Sequence, residues 1–234
     1  MVDRDEQRDS GPNDFEITGE RLDERAGELD RLISLRDGVF AFAMTLLIVS
    51  IEVPQMSQSQ ARAHLHRDIA ELWPQVISYV IGFLVIGFLW ASHRRIFSRV
   101  MDFDDRLTKL NILLLMFVAF LPFPTELMGE YGDLGFSANF YAIILATISA
   151  LYIAIIDHLD GKRALMTRGG MDFDFARAKT RHLVTGGIFL ISIPVSLLAP
   201  GFGQLVWILL AFNHQISERL MPHLPKRFQE RGQS

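Results

Sequence analysis

The chain has 234 residues, of which 50% are hydrophobic and 21% are charged, and its mean hydropathy is +0.23. Apolar blocks alternate with charged ones, a pattern typical of an integral membrane protein. The net charge of -4 argues against a general nucleic-acid-binding role. The absence of cysteine excludes disulfides and thiolate metal sites.

Residues 1–30 are polar and acidic, with almost no apolar periodicity. The segment lacks the basic start and apolar core of a secretory signal. It predicts a disordered cytoplasmic tail, in which a short helix from about Thr18 is possible because good helix formers follow that residue.

The organising stretch is residues 31–54, RLISLRDGVFAFAMTLLIVSIEVP, in which a charged head leads into an uncharged run. As an α-helix, residues 33–53 would be roughly 31 Å long, which matches a hydrocarbon core of about 30 Å. This stretch therefore predicts the first transmembrane helix.

One stripe of this helix is the candidate pore lining. Phe42, Thr45, Val49 and Glu52 are spaced by three, four and three residues, and Leu46 lies beside them. Copies of such a stripe around an axis would form a narrow, mostly hydrophobic ion path. The alternative is that Thr45 bonds to its own helix backbone and the stripe packs against other helices. Spacing alone favours that alternative.

Further apolar runs predict five more spans. Trp73 and Trp90 bracket the second as interfacial anchors, and Pro122 and Pro124 predict a kink near the far end of the third. The last two spans are short and form a hairpin, so a re-entrant sixth segment and a count of five or seven stay open. The predicted fold is an all-α membrane protein with six transmembrane helices in a domain over residues 31–217 and a cytoplasmic tail over 218–234. The predicted later spans cover residues 73–90, 107–128, 136–156, 183–198 and 202–216.

Basic residues predict the orientation, because Lys and Arg accumulate in cytoplasmic loops. With six spans, 21 of the 23 Lys and Arg fall on the side of the two termini, and only Arg62 and Arg67 fall on the other. We therefore expect a multi-pass protein of the cell membrane with both termini in the cytoplasm.

Other candidate sites are weaker. His64 and His66 flank Leu65 in an outer loop and would need further ligands to hold a divalent metal, so solvated side chains are the favoured interpretation. Glu52 would concentrate cations at a pore mouth or is an ordinary interfacial carboxylate. No His, Asp or Ser constellation suggests a hydrolase. We therefore expect no enzyme activity, no bound metal and no cofactor.

Three blocks carry a resemblance to a known family. Residues 31–54 resemble the first helix of the prokaryotic transmembrane-protein-175 family of potassium channels, whose signature is Arg, three arbitrary residues and Phe-Ser-Asp, then an apolar helix with a Thr-Leu-Leu step. FLWASHRRIF resembles the end of the family's second helix, and LNILLLMFVAFLPFPTELMGEY resembles its third. Together they touch most of residues 31–132.

The signature is incomplete in this chain. Arg31 and Asp37 match its Arg and Asp, but Leu35 and Arg36 replace its Phe and Ser. The added cation of Arg36 would pair with Asp37 and alter the family's hydrogen-bond network. The resemblance places that network, which holds the first helix against its neighbours, near Trp90 and His93.

The resemblance also implies the pore. The family's constriction residues fall at Phe42 and Val49, with Thr45 and Leu46 kept between them, and the bulk of Phe42 predicts a tighter closed state. A potassium-selective homotetramer without a TVGYG filter follows as an expectation, with potassium ions and the lipid bilayer as its partners. A secondary transporter or a proton-leak protein of the same architecture is the alternative.

Overall fold

The computed structural model describes residues 14–55, 57–132, 134–166, 173–199 and 203–220. Within these ranges the chain is almost entirely helical, which confirms the predicted all-α class. Among the described residues, one antiparallel bridge joins Val100 to Met166. The α-helices are α1 (Asp14–Leu46), α2 (Gln58–Glu71), α3 (Trp73–Phe97), α4 (Asp105–Phe120), α5 (Pro122–Glu130), α6 (Gly135–Gly161), α7 (Phe175–Leu198) and α8 (Asn213–Leu220).

The described residues contain five helical segments long and apolar enough to cross a membrane. They confirm the first five predicted spans, and α3, α6 and α7 each continue beyond the predicted residues. The segments are Arg31–Ser50, Trp73–Phe97, Asp105–Glu130, Gly135–Gly161 and Phe175–Leu198.

The sequence predicts one membrane-crossing α-helix over residues 202–216. The structure differs from this prediction. The described part of this stretch is a 3-10 helix, Gly203–Phe212, followed by the polar α8. Ten residues of 3-10 helix rise roughly 20 Å, less than the hydrocarbon thickness of about 30 Å. The described part of this stretch is therefore not one of the five spanning helices, and the sixth span stays a prediction.

Two helices lie where the sequence suggested tail or loop. The first helix begins at Asp14, earlier than the possible start near Thr18, so residues 14–30 are helical. The connection after the first span contains α2. Residues 1–13 and 221–234, which include most of the predicted C-terminal tail, lie outside the described residues.

The predicted kink in the third span is confirmed. The helix breaks at Leu121, between α4 and α5, and α5 begins with Pro122. Proline lacks the backbone N–H that would continue the ladder, so a new helix starts there. The Leu121 N–H turns back to the Val118 carbonyl oxygen at 3.1 Å.

Helix α6 is the centre of the protomer. Its buried residues include Ile148, Tyr152 and Ile155, and it packs against α4, α5 and α7. At Gly186 of α7, an added Cβ would lie 3.2 Å from the Cβ of Ser149 on α6. Small residues let transmembrane helices approach this closely, so this contact fixes the α6–α7 pair.

Candidate functional site

The candidate pore stripe lies on the uncovered face of α1. Phe40, Ala43 and Leu47 point into the protomer against α3 and α4, and each is 1% exposed. Successive residues are about 100° apart on a helix, so Phe42 lies roughly opposite Phe40. Phe42 is 64% exposed. The Phe42 face of α1 is therefore free for lipid or for another subunit.

The rest of the stripe is exposed as well. Val49 is 70% exposed, and Thr45 and Leu46 are also at the surface. The Thr45 Oγ1 donates to the Phe42 carbonyl oxygen at 2.9 Å, as the alternative interpretation expected of this hydroxyl. Packing of the stripe against other helices of the same chain does not occur within the described residues. The Thr45 oxygen keeps acceptor capacity that can face an ion path.

The membrane end of α1 tightens into a 3-10 helix, Leu47–Ser50. The Ser50 Oγ donates to the Leu47 carbonyl oxygen at 2.8 Å, and the Ile51 N–H donates to the Ile48 carbonyl oxygen at 3.2 Å. Glu52 follows in non-helical chain, so it is not the next step of a continuous helical stripe.

Glu52 instead lines a cavity of about 860 Å³ between the end of the first span, α2, α3 and α5. We call it the acidic outer cavity. No Lys or Arg is among its described lining residues, and the Gln75 Nε2 donates to Glu130 at 3.2 Å within it. Its carboxylates are those of Glu52, Asp68, Glu71, Glu126 and Glu130.

The predicted network forms around Asp37. The Trp90 Nε1 donates to Asp37 Oδ1 at 3.0 Å, joining α3 to α1. The Arg36 guanidinium donates two hydrogen bonds of 2.9 Å to the same carboxylate, and the Arg36 side chain is only 8% exposed. The guanidinium of Arg94 lies 5.5 Å from the centre of the Trp90 ring. The cation that replaces the signature serine is therefore an integral part of this contact.

His93 belongs to a separate buried contact. Its Nε2 lies 2.8 Å from the Asn111 Oδ1 on α4, and its ring stacks on Phe97 at 4.0 Å between centroids. The Phe40 ring of α1 contacts the His93 ring in a T-shaped arrangement, with 5.8 Å between the ring centroids. Arg31 is exposed and forms no hydrogen bond to Trp90 or His93 in the described structure. Of the four predicted network residues, Asp37 and Trp90 share one contact and His93 belongs to a second. Arg31 belongs to neither.

A charged cluster that the sequence did not predict lies at the end of the bundle opposite the acidic outer cavity. Asp104 caps α4 by accepting from the Leu107 N–H at 2.8 Å, and it also meets His158 at 2.9 Å and Lys162 at 2.8 Å. The hydrogen bond from Lys162 holds the pKa of Asp104 well below its usual range. The cluster ties the start of α4 to the end of α6. Its members are far apart in sequence, so spacing gave no signal.

His64 and His66 are both exposed on α2. Among the described residues, no group of three or more His, Asp or Glu is arranged to hold a metal ion.

The helical spans define a multi-pass membrane protein whose first helix leaves one face uncovered by its own protomer. The family model of the endosomal/lysosomal potassium channel TMEM175 matches residues 31–122. A protein of Streptomyces collinus named as a potassium channel is 33% identical over 192 residues, which cover 74% of this chain and 88% of the relative. The chain belongs to the TMEM175 family, and the resemblance seen in its three blocks is confirmed.

Two further relatives bear on the fold and function. The crystal structure of a lysosomal potassium-selective channel TMEM175 homolog from Chamaesiphon minutus superposes with a TM-score of 0.64 at 27% identity, covering 89% of this chain and all of that one. The human endosomal/lysosomal proton channel TMEM175 is 27% identical over 143 residues, which cover 59% of this chain and 28% of the human protein. The family is one of ion channels, which are not an enzyme class.

Proposed function

We propose that this protein is a potassium-selective channel of the cell membrane. Four chains place α1 around a shared axis, and both termini lie in the cytoplasm. The uncovered face of the first span is the observation that carries the proposal. One side of this span is buried by its own protomer, and the other is exposed along Phe42, Thr45, Leu46 and Val49. The relatives named as potassium channels support the choice of ion.

The proposed gate is a hydrophobic constriction. Rings of Phe42 and Val49 side chains exclude water when the pore is narrow, and an ion cannot shed its hydration shell there. Opening widens the path by tilting or rotating α1. Between the two rings, the Thr45 oxygen offers a polar contact to a passing ion. Potassium is the permeant ion, and no cofactor takes part.

The acidic outer cavity lies at the outer end of the proposed path. Its carboxylates produce a negative potential that raises the local concentration of cations before they enter the pore. Glu52 contributes to this potential from just beyond the last turn of the first span. The proposed role of Glu52 at the pore mouth therefore rests on a field shared among several carboxylates.

Purified protein in liposomes tests the channel proposal. Under an outward potassium gradient, we expect a potassium flux that exceeds the sodium flux measured under a matched gradient. Flux that saturates and depends on a second ion would instead indicate a secondary transporter. Acidification without potassium flux would indicate a proton path. Either of these results would overturn the proposal.

A further inference from the structure

A cavity of about 540 Å³ lies between α3 and α7, away from α1. We call it the α3–α7 pocket, and no part of the proposed pore uses it. Its volume lies within the range of about 300–1,000 Å³ that is usual for ligand pockets. It is lined at one end by arginines and along its depth by apolar side chains. The arginines are Arg95, Arg99, Arg177 and Arg181, and the apolar residues include Val85, Leu89, Phe189 and Leu210.

The directions of α3 and α7 place the basic residues at one end of the pocket and the apolar residues at the other. Helix α3 runs toward its basic end and α7 runs away from its own, so both helices bring charge to the side of the bundle that the sequence predicts to be cytoplasmic. Val85 and Arg95 are ten positions apart on α3, which is about 15 Å along the axis. That length is about half of a hydrocarbon core of about 30 Å, the depth of one leaflet. The pocket therefore has the polarity and depth of a single lipid.

The arginines are not all neutralised by the protein. Arg177 pairs with Glu218 at 3.0 Å and with Asp174 at 3.6 Å. In the described parts of the chain, no carboxylate lies within ion-pair distance of Arg95 or Arg181. One aspartate lines the pocket against four arginines, so the polar end carries a net positive charge.

Two buried polar atoms in the same place lack partners among the described residues. One is the Arg181 Nε, a donor, and the other is the Asn213 Oδ1, an acceptor that an anion would not satisfy. The Asn213 Nδ2 is held by Thr185 Oγ1 at 2.7 Å, which fixes the side chain at the pocket wall. A buried guanidinium N–H without an acceptor is costly. An anion at this end would satisfy it.

We propose that the α3–α7 pocket binds one anionic phospholipid from the cytoplasmic leaflet. The phosphate lies between Arg95 and Arg181, and one acyl chain extends along Val85, Leu89 and Leu210. Basic pockets between transmembrane helices on the cytoplasmic side are a recognised setting for anionic headgroups. The charge at one end selects the headgroup, and the apolar depth selects a lipid over a free anion.

Native mass spectrometry of the full-length protein in mild detergent tests this proposal without measuring ion flux. The probes are phosphatidylglycerol and phosphatidylcholine with identical acyl chains. We expect one phosphatidylglycerol per chain, bound about tenfold or more tightly than phosphatidylcholine. The double variant R95Q/R181Q should lose this preference, and the charge-preserving R95K/R181K should keep most of it. Arg106→Gln is the control, because Arg106 is an exposed cation at the same end of the bundle and does not line the pocket.

A second variant tests the acyl chain. Val85→Trp fills the apolar half of the pocket and should weaken phosphatidylglycerol binding without changing the arginines. Millimolar inorganic phosphate should not displace the lipid. Equal binding of the two lipids, an Arg106→Gln loss as large as that of R95Q/R181Q, or full displacement by phosphate would overturn the proposal. The last result would indicate a free-anion site.

Discussion

The Trp90 indole and the Asp37 carboxylate are joined by a hydrogen bond of 3.0 Å that links α3 to α1. Asp37 is held at the same time by the guanidinium of Arg36, its neighbour in sequence. The position of the proposed pore helix relative to α3 thus depends on a carboxylate with two charge-assisted partners, and such bonds are stronger than neutral ones.

Removing either partner of this bond should lower thermal stability. Trp90→Phe and Asp37→Ala are each expected to reduce the melting temperature of the detergent-purified protein, measured as loss of its monodisperse chromatographic peak on heating. Because both remove the same bond, the double variant should lose less than the sum, with a coupling of about 0.5–3 kcal/mol. Arg31→Gln should leave the melting temperature unchanged. Strictly additive losses would show that the two side chains do not act together.

A side chain at Gly82 should disrupt the packing of three helices. An added Cβ would lie 2.6 Å from the Thr125 Cγ2 on α5 and 3.3 Å from the Leu47 Cδ2 at the end of the first span. Gly82→Val should therefore reduce the yield and melting temperature of folded protein. Gly87→Val is the matched control, because no heavy atom lies within 4 Å of a Cβ at that position of the same helix. A comparable loss in both variants would point to helix propensity instead of packing.

Shortening Phe42 should open the proposed constriction. Phe42→Ala removes the aromatic ring from the exposed face of α1, so water and ions should enter the closed pore more readily. We expect a higher basal potassium leak in liposomes. Phe136→Ala is the control, because Phe136 is similarly exposed but lies on α6. An unchanged leak in Phe42→Ala would place the constriction elsewhere.

Neutralising the acidic outer cavity should reduce conductance only when salt is dilute. Glu52→Gln, and more strongly Glu52→Gln with Glu71→Gln, should lower single-channel potassium current at low ionic strength. The difference should disappear at high ionic strength, because salt screens exposed charges. Asp157→Asn removes a carboxylate that pairs with Lys179 outside the cavity and should not show this salt dependence. A deficit that persists at high salt would indicate direct blockage or misfolding.

The Asp104 cluster predicts a pH dependence of stability. The pKa of Asp104 is lowered in the folded protein below its ordinary value of about 4, so its charge stabilises the fold above that ordinary value. The contribution is lost as pH falls through the folded pKa. Lys162→Gln removes the chief cause and should raise the pKa of Asp104.

The Lys162→Gln variant should therefore melt earlier than the wild type at about pH 7, and the gap should narrow toward about pH 3. Thermal melts across this range measure the gap. Lys109→Gln, an exposed cation on α4, serves as the control. A gap independent of pH would show that the Lys162 stem, and not its charge, stabilises the cluster.

The features that the sequence could predict depend on residues close together along the chain. The first five spans follow from uninterrupted apolar runs, and the break at Leu121 follows from the missing N–H of Pro122. The placement of Phe42, Thr45 and Val49 on one stripe follows from steps of three and four residues. Each of these features depends on neighbours along one helix, so a single sequence is enough to find them.

Features that depend on contacts between helices were not predictable. Asn111 is a polar residue in an apolar run, and its pairing with His93 requires that the folded chain bring α4 within reach of α3. The 3-10 helix before Glu52 contains no proline or glycine, so the sequence carries no signal that the α-helix ends there. Arg31 matches a signature position, but the match could not show that its side chain lies outside the Trp90 and His93 contacts.

Helix α1 runs without a proline from Asp14 to Leu46, a length of 33 residues. At about 1.5 Å per residue this is roughly 50 Å, well beyond the thickness of the hydrocarbon core. A torque applied near Asp14 would therefore be transmitted along this helix to the proposed ring at Phe42. A partner bound to the amino-terminal end of α1 would act mechanically on the proposed pore without entering the membrane.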